Sequence, residues 1–190
     1  DSEIKILVVD NANSKKFKEN IEKEYKNVTY IPSQKNLGMG AGNNLGIKNV
    51  KTDFAFILNP DVILDPSAIN EIINASKKIE SFGIIAPIEN NKDYPNYKLD
   101  NSKKNFFDEN NPFKVKSVDG FAMLLNLKRL NMLDKFNYFD ENFFMYLEND
   151  DLCRRLNDSN EKIYIVPKSK VKHLGGKAVN EIYKYEIELS

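Results

Sequence analysis

Two carboxylates, Asp10 and Asp61, each follow an apolar run and are the first candidates for binding chemistry. The run Phe54–Leu58 leads directly into an Asn-Pro-Asp turn, which predicts a strand buried on both faces that ends beside a charge. Ile4–Val9 ends in the same way at Asp10. Because ligands of open α/β sheets bind beyond the carboxyl ends of the strands, the pattern predicts one shared crevice for a ligand or a metal ion. The alternative for Asp61 is a capped turn, in which the carboxylate bonds to its own backbone.

A glycine-rich stretch, Lys35–Gly46, is the second candidate. Gly38, Gly40 and Gly42 stand ahead of a predicted helix over 43–50, where they would let the backbone approach a ligand and aim N–H groups at an anion. The spacing differs from the dinucleotide-binding fingerprint, and no βαβ unit surrounds it as that motif requires. A glycine-rich bend that only packs a helix against the sheet explains the pattern equally well.

Acidic residues open a predicted helix that begins at Glu148. Asp150 and Asp151 lie in its first turn, and Arg154 and Arg155 follow. Acids at a helix N-terminus and acid–arginine pairs at i+3 and i+4 stabilise helices, which explains part of the charge. That interpretation leaves unexplained why large apolar residues lead directly into the acids, so the cluster is also a candidate for acid–base chemistry.

His173 is the only histidine and follows the predicted strand Ile163–Val166. A lone histidine is commonly a hydrogen-bonded structural residue. Its place after a strand and before two glycines makes a metal ligand or an acid–base group an equally good interpretation.

Alternating strands and helices predict a single α/β domain over the whole chain, 1–190. The other predicted strands are Val28–Ile31, Gly83–Ile88 and Phe121–Leu125. The other predicted helices are Ser14–Tyr25 capped by Asn13 or Ser14, Ala68–Ile79 capped by Asp65, and Lys128–Leu133. The stretch 89–116 has no periodicity and contains scattered aromatic residues, which predicts a long loop that closes over a ligand or is poorly ordered.

Composition narrows the class of protein. The 190 residues suffice for a sizeable core, and 28 basic residues balance 28 acidic ones, so charge does not point to a nucleic-acid partner. The single Cys153 excludes an internal disulfide and fits a reducing compartment. No apolar run approaches the roughly 20 residues that span a bilayer.

Six motifs, in this order, resemble the family 2 inverting glycosyltransferases of the GT-A fold, especially the rhamnosyltransferase-like members. They are Val9–Asn13, Asn36-Leu37-Gly38 through Asn44-Leu45-Gly46, Leu58–Val62, Asp119–Ala122, Phe139-Asp140-Glu141 through Asp151–Leu156, and His173–Gly176. Each motif alone is weakly specific, and their shared order makes the resemblance strong. The resemblance implies a mostly parallel sheet with helices on both faces.

The resemblance also implies roles for the matching residues. The implied nucleotide and donor contacts are Asp10, Asn11, Lys35, Asn36, Gly38, Asn43, Asn59 and Asp61. Asp61 would bind Mg²⁺ or Mn²⁺, with His173 approaching the metal or the diphosphate from the far side. Asp119 and Gly120 would border the acceptor, and the acidic cluster of Glu148, Asp150 and Asp151 would supply the base. An inverting transfer needs such a base, an in-line sugar and positive charge on the departing diphosphate.

The implied partners are a UDP- or dTDP-sugar donor and a glycan or lipid-linked acceptor. The implied location is the cytoplasm, with peripheral association at the inner face of the membrane permitted by the composition. A nucleotidyltransferase is a weaker alternative, because it would need a basic glycine-rich loop directly after its first strand.

Two departures from the family support a second hypothesis. The usual base aligns with Asn149, whose amide cannot take a proton as a carboxylate does, so Glu148 or Asp150 replaces it or the domain is inactive. The family also carries one βα unit ahead of the strand that begins here at Ile4, which predicts an N-terminally truncated domain with an exposed sheet edge. A degenerate domain that binds a glycan or a partner protein without catalysis is therefore the alternative.

Overall fold

The computed structural model describes residues 4–89, 94–100, 108–134 and 136–175. The strands of this part of the chain are β1 Ile6–Asp10, β2 Val28–Pro32, β3 Phe54–Leu58, β4 Val62–Leu64, β5 Ile84–Glu89, β6 Tyr97–Lys98, β7 Phe113–Val115, β8 Ser117–Val118, β9 Ala122–Asn126 and β10 Ile163–His173. The helices are α1 Lys15–Glu24, α2 Gly38–Ile47, α3 Ala68–Lys78, α4 Leu127–Leu130 and α5 Glu148–Asp158. Among the helices described, none combines the length and the apolar character needed to cross a membrane.

Six strands form the main sheet, in the order β3-β9-β5-β10-β4, with β7 also paired to β10. β5 and β10 are parallel, whereas the other four pairings in this sheet are antiparallel. β1 and β2 form a separate parallel pair, and β6 and β8 a separate antiparallel pair. The α/β class is as predicted, but the sheet is mixed rather than mostly parallel.

Helices cover both faces of the main sheet because successive strand residues point to opposite sides. Ile84 and Ile85 are adjacent in β5 and enter different apolar clusters. Ile84 packs in the cluster that contains Leu152 of α5, and Ile85 in the cluster that contains Ile72 of α3. The predicted placement of helices on both faces is therefore confirmed.

β3 has the predicted bounds but not the predicted burial. Ala55 and Ile57 are buried, whereas Phe54 and Leu58 at its ends are 38% and 41% exposed. β3 pairs only with β9 among the described strands, so it is an edge strand of its sheet. Phe56 at the centre of β3 is partly buried against two apolar clusters, and Phe54 stacks on Phe82. The prediction of a strand buried on both faces is therefore wrong at the two ends of this edge strand.

Helix α2 begins at Gly38 rather than at the predicted residue 43, so the glycines lie inside the helix instead of in a loop before it. They let the helix approach its neighbours closely. A Cβ on Gly42 would lie 3.2 Å from Nδ2 of Asn11, and one on Gly46 would lie 3.1 Å from Cγ2 of Val9. The structure thus supports the packing interpretation of these glycines.

The predicted helix caps have different outcomes. The Ser14 hydroxyl accepts the N–H of Phe17 at 3.3 Å, which confirms Ser14 as the cap of α1. Helix α3 has no side-chain cap bond. Asp65 contributes only its carbonyl, which accepts the N–H of Ala68 at 2.9 Å, so its prediction as a side-chain cap is wrong.

The stretch 89–116 is more regular than predicted, since it contains β6 and β7. The parts of this predicted loop at 90–93 and 101–107 lie outside the described residues. β10 extends well beyond the predicted end at Val166. A register shift between Val166 and Lys170 lets this strand continue along β5 and then pair with β4.

Candidate functional site

β10 brings Asp61 and His173 together. Asp61 follows β3, and His173 ends β10 opposite Val62. The imidazole Nε2 of His173 lies 3.3 Å from Oδ1 of Asp61, and the N–H of Leu174 donates to the Asp61 carbonyl at 2.9 Å. The His–Asp contact has an ion-pair distance without hydrogen-bond geometry. Oδ1 of Asp61, a residue only 8% exposed, therefore has no hydrogen-bond partner among the described residues.

Two contacts hold His173 in place. Its ring stacks on Phe121 with centroids 4.3 Å apart, and its backbone N–H donates to Oε1 of Glu89 at 3.1 Å. Mg²⁺ is commonly bound by one or two carboxylates together with substrate phosphates. The unpartnered oxygen of Asp61 beside an imidazole fits this arrangement. Within the described residues no group of three or more His, Cys, Asp or Glu could hold a metal alone, so donor phosphates would have to complete the site.

Asn96 joins the end of β5 to the backbone of Asp119. Sequence analysis did not identify this residue. The residue is fully buried. Its side chain accepts the N–H of Glu89 at 2.9 Å and donates to the carbonyl of Pro87 at 3.0 Å, while its own carbonyl accepts the N–H of Asp119 at 3.0 Å. Asn96 lies in a stretch without periodicity, so no sequence signal distinguished it from the neighbouring asparagines.

The N-terminus of α5 packs against the segment that carries Asp119. The amide of Asn149 donates to the carbonyl of Val118 at 3.1 Å, and a Cβ on Gly120 would lie 3.2 Å from Cβ of Asn149. Both chain neighbours of Asp119 therefore contact Asn149. Phe121, two residues after Asp119, stacks on His173.

Charges converge on Asp119 from several elements. Partial desolvation of the carboxyl by its surroundings, followed by the like charges of Asp150 and Glu89, raises its pKa, while Lys98 and His173 act in the opposite direction. Charged groups of α5, β5, β6 and β10 therefore all act on the Asp119 carboxyl.

The acids of α5 lie in three different environments. Glu148 is 3% exposed and its Oε2 has no partner among the described residues, so burial raises its pKa. A Cβ on Gly40 would lie 3.5 Å from Cβ of Glu148, which places this residue against α2. Asp150 is half-buried and pairs with Lys98 across 3.3 Å. These environments distinguish the two predicted replacement bases, since only Asp150 is open to solvent.

Asp151 is held by arginines. Arg154 and Arg155 each donate to it at 2.7 Å, which confirms the i+3 and i+4 pairs. Burial opposes ionisation, but these hydrogen bonds outweigh it and lower the pKa of Asp151. Arg155 also donates to the carbonyls of Asn137 and Tyr138. Asp151 therefore fixes the preceding loop, and we do not retain it as a catalytic candidate.

Asp10 is engaged by its own loop. Its carboxylate accepts the N–H groups of Ala12 and Ser14 at 2.8 Å each and the hydroxyl of Tyr30 at 2.6 Å. Burial opposes ionisation, but these bonds prevail and lower the pKa of Asp10, and the pKa of Tyr30 is raised to about 12. β1 and β3 belong to different sheets, and no described hydrogen bond or ion pair links Asp10 to Asp61. The two carboxylates thus do not share an edge of one sheet as predicted.

Two N–H groups at the start of α2 already have partners. Asn36 accepts the N–H of Gly38 at 3.0 Å, and the Phe144 carbonyl accepts that of Met39 at 3.3 Å. These two groups are therefore not free to bind an anion, and the wider anion cradle stays a prediction. The other predicted donor contacts are placed as follows: Lys35 is exposed, Asn43 is half-buried in α2, and Asn59 is half-buried after β3.

Asn44 joins α2 to the loop that leads into α5. Its amide donates to the carbonyl of Phe139 at 2.8 Å and to Glu141 at 3.0 Å, and its oxygen accepts the N–H of Phe139 at 3.0 Å. This loop ends in two consecutive left-handed residues, Tyr146 and Leu147, with φ of 65° and 66°. Left-handed non-glycine residues are strained, and such strain persists only where surrounding contacts enforce it.

Comparison with known proteins agrees with this architecture. The fold is of the GT-A type, as in GalNAc-T7 with UDP, GalNAc and Mn²⁺, which superposes with a TM-score of 0.71 at 14% identity over 89% of this chain and 37% of that one. The sequence matches Glycosyl transferase family 2 over residues 1–133. The chain belongs to glycosyl transferase family 2.

Two curated relatives are similar over most of the chain. The low-salt glycan biosynthesis hexosyltransferase Agl10 of Haloferax volcanii is 25% identical, over 83% of this chain and 54% of its own length. The N-acetylglucosaminyl-diphospho-decaprenol L-rhamnosyltransferase of Mycobacterium tuberculosis is 23% identical, over 90% of this chain and 66% of its own length. The chain thus spans between half and two thirds of the length of these two relatives.

Proposed function

We propose that this domain transfers a sugar from a nucleoside diphosphate donor to a hydroxyl of a glycan or lipid-linked acceptor, with inversion at the anomeric carbon. The observation that carries the proposal is the buried, unpartnered oxygen of Asp61 beside the imidazole of His173. Leaving a buried carboxylate oxygen without a partner is costly, and a cation with bound diphosphate would satisfy it.

Asp61 and His173 would hold a divalent cation together with the donor diphosphate. When bound, the ion acts as a Lewis acid that neutralises charge on the departing diphosphate. The protein's own residues do the rest. Phe121 stacks on the imidazole of His173, and Glu89 fixes the backbone N–H of the same residue. Asn96 fixes the backbone that carries Asp119 on the acceptor side.

The matched pair Asp61→Asn and Asp65→Asn tests this proposal. Both remove one carboxylate, but Asp65 is exposed and its structural contact is through the backbone. Calorimetric titration with UDP and dTDP, with and without Mn²⁺, is expected to show metal-dependent binding that Asp61→Asn abolishes and Asp65→Asn retains. Turnover of a UDP- or dTDP-sugar is expected to fall on the order of 10²- to 10³-fold in Asp61→Asn, since metal stabilisation supplies several kcal/mol and each 1.36 kcal/mol is tenfold. Metal-dependent binding that survives in Asp61→Asn would remove Asp61 from the site.

One observation favours a non-catalytic alternative. Asn149 stands where the resemblance places the base, and its amide is committed to the Val118 carbonyl. A glycan- or partner-binding domain without turnover would need no base there. That alternative requires glycan or partner binding with no nucleoside diphosphate release at any Mn²⁺ concentration, and measurable release would exclude it.

A further inference from the structure

We propose that Asp119 is the base that takes the proton of the acceptor hydroxyl. This assignment rests on the proposed function, and it names the Asp119 carboxylate as the group that accepts the proton. In the transfer, the hydroxyl oxygen bonds to the anomeric carbon as the bond from that carbon to the diphosphate oxygen breaks. The electron pair leaves with the diphosphate, and the hydroxyl proton goes to the Asp119 carboxylate.

Position is the first argument. An in-line displacement needs the base on the opposite side of the anomeric carbon from the leaving group. The proposed function places the donor diphosphate at Asp61 and His173. Asp119 lies two residues before Phe121, whose ring stacks on His173, and directly after Val118, whose carbonyl accepts the amide of Asn149 in α5. The segment that carries Asp119 therefore runs from α5 to the residue that contacts His173, and the proposal places the acceptor hydroxyl at the Asp119 carboxylate.

The contacts of the other carboxylates are the second argument. Glu148 is buried against α2 with 3% of its surface exposed, and Asp151 is bound by two arginines. Glu89 accepts the N–H of His173. Both oxygens of Asp150 lie within 3.5 Å of the Lys98 ammonium, which competes with an incoming hydroxyl proton. Asp119 is exposed, and within the described chain no side-chain donor bonds its carboxylate.

The surroundings of Asp119 are built to keep it in place. Its N–H is fixed by the carbonyl of the fully buried Asn96. The next residue, Gly120, is closely packed. A Cβ on Gly120 would lie 2.5 Å from Cε of Met39 and 3.2 Å from Cβ of Asn149. The backbone on both sides of the carboxylate is therefore held, which is what a base needs in order to meet a substrate hydroxyl at hydrogen-bond distance.

Four variants of the full chain separate this assignment from its rivals. They are Asp119→Asn, Asp119→Glu, Asp150→Asn and, as a surface control on the far turn of α5, Asp158→Asn. Release of UDP or dTDP from the corresponding sugar nucleotide gives kcat, calorimetry with Mn²⁺ gives the donor Kd, and urea denaturation checks folding. We expect Asp119→Asn to lower kcat by about 10²- to 10⁴-fold with a donor Kd within about twofold of wild type. Asp119→Glu is expected to recover part of this loss, Asp150→Asn to lose less than about tenfold, and Asp158→Asn to match wild type.

Two results overturn the assignment in distinguishable ways. Turnover of Asp119→Asn within about threefold of wild type, with a large loss in Asp150→Asn, would transfer the role of base to Asp150 and leave the proposed function intact. A wild-type chain without turnover of either sugar nucleotide would overturn the proposed function and the base together.

Discussion

Replacing Asn44 by alanine tests whether one buried amide holds the loop ahead of α5. Asn44 makes three hydrogen bonds of 2.8 to 3.0 Å, and two of them go to the backbone N–H and C=O of Phe139, which is 1% exposed. Alanine leaves both backbone groups buried without a partner, and each such group costs about 1–3 kcal/mol. We therefore expect the free energy of unfolding to fall by about 2–6 kcal/mol, a large share of the ~5–15 kcal/mol typical of a domain.

Asn49→Ala is the matched control. Asn49 follows the same helix and donates to the Leu45 carbonyl at 2.9 Å, but this bond is exposed to water. Its loss is expected to change the free energy of unfolding by less than about 0.5 kcal/mol. Urea denaturation of both variants gives the comparison. If Asn44→Ala costs less than about 1 kcal/mol with an unchanged m-value, the loop does not depend on this amide and the reasoning fails.

Three further predictions concern single positions. Gly38 has φ of 77° and a Cβ there would lie only 1.9 Å from the Phe144 carbonyl oxygen, whereas a Cβ on Gly175, with φ of 65°, would meet no atom of the described residues within 4 Å. Both alanine variants bear the left-handed cost of about 1–2 kcal/mol, so urea denaturation is expected to show a larger loss for Gly38→Ala, and equal losses would refute the clash. Because burial raises the pKa of Glu148, wild type is expected to lose stability as pH rises from the ordinary carboxyl range through the raised pKa. The Glu148→Gln variant has no carboxyl to ionise and is expected to keep its stability over this pH range. If the variant is more stable than wild type by the same amount at acid pH, ionisation of the buried carboxyl is not the cause. Cys153 is 1% exposed with its pKa raised to about 12, so mass spectrometry is expected to show iodoacetamide labelling at mildly alkaline pH only after unfolding.

Spacing patterns within a few residues correctly predicted the contacts that form within one helix. The acid–arginine spacing of α5 placed Asp151 against Arg154 and Arg155, and the structure confirms both pairs. The predicted helix began at residue 43, too late, because glycine has a poor helix propensity. Hydrogen bonds to Asn11 and Phe144 stabilise the first turn of α2 in spite of that propensity.

The candidate site depended on contacts that no local pattern contains. The predicted last strand ended at Val166, yet β10 shifts register there and continues to His173. Only that continuation brings the histidine to Asp61. Asn44 bonds to a residue far away in the sequence, and Asn96 lies in a stretch without periodicity. The sequence therefore did not distinguish either residue from the many other asparagines.

The place of β10 in the sheet has a consequence for synthesis of the protein. β10 pairs with β4, β5 and β7, and the Ser169 hydroxyl donates to the Ala68 carbonyl across 101 residues. At about 5–20 residues per second, the ribosome delivers β10 several seconds after β3 and β4. The nascent chain therefore carries Asp61 without His173 during that interval. A chain still emerging from the ribosome cannot yet form the Asp61–His173 pair, so completion of the sheet and readiness for the proposed donor coincide.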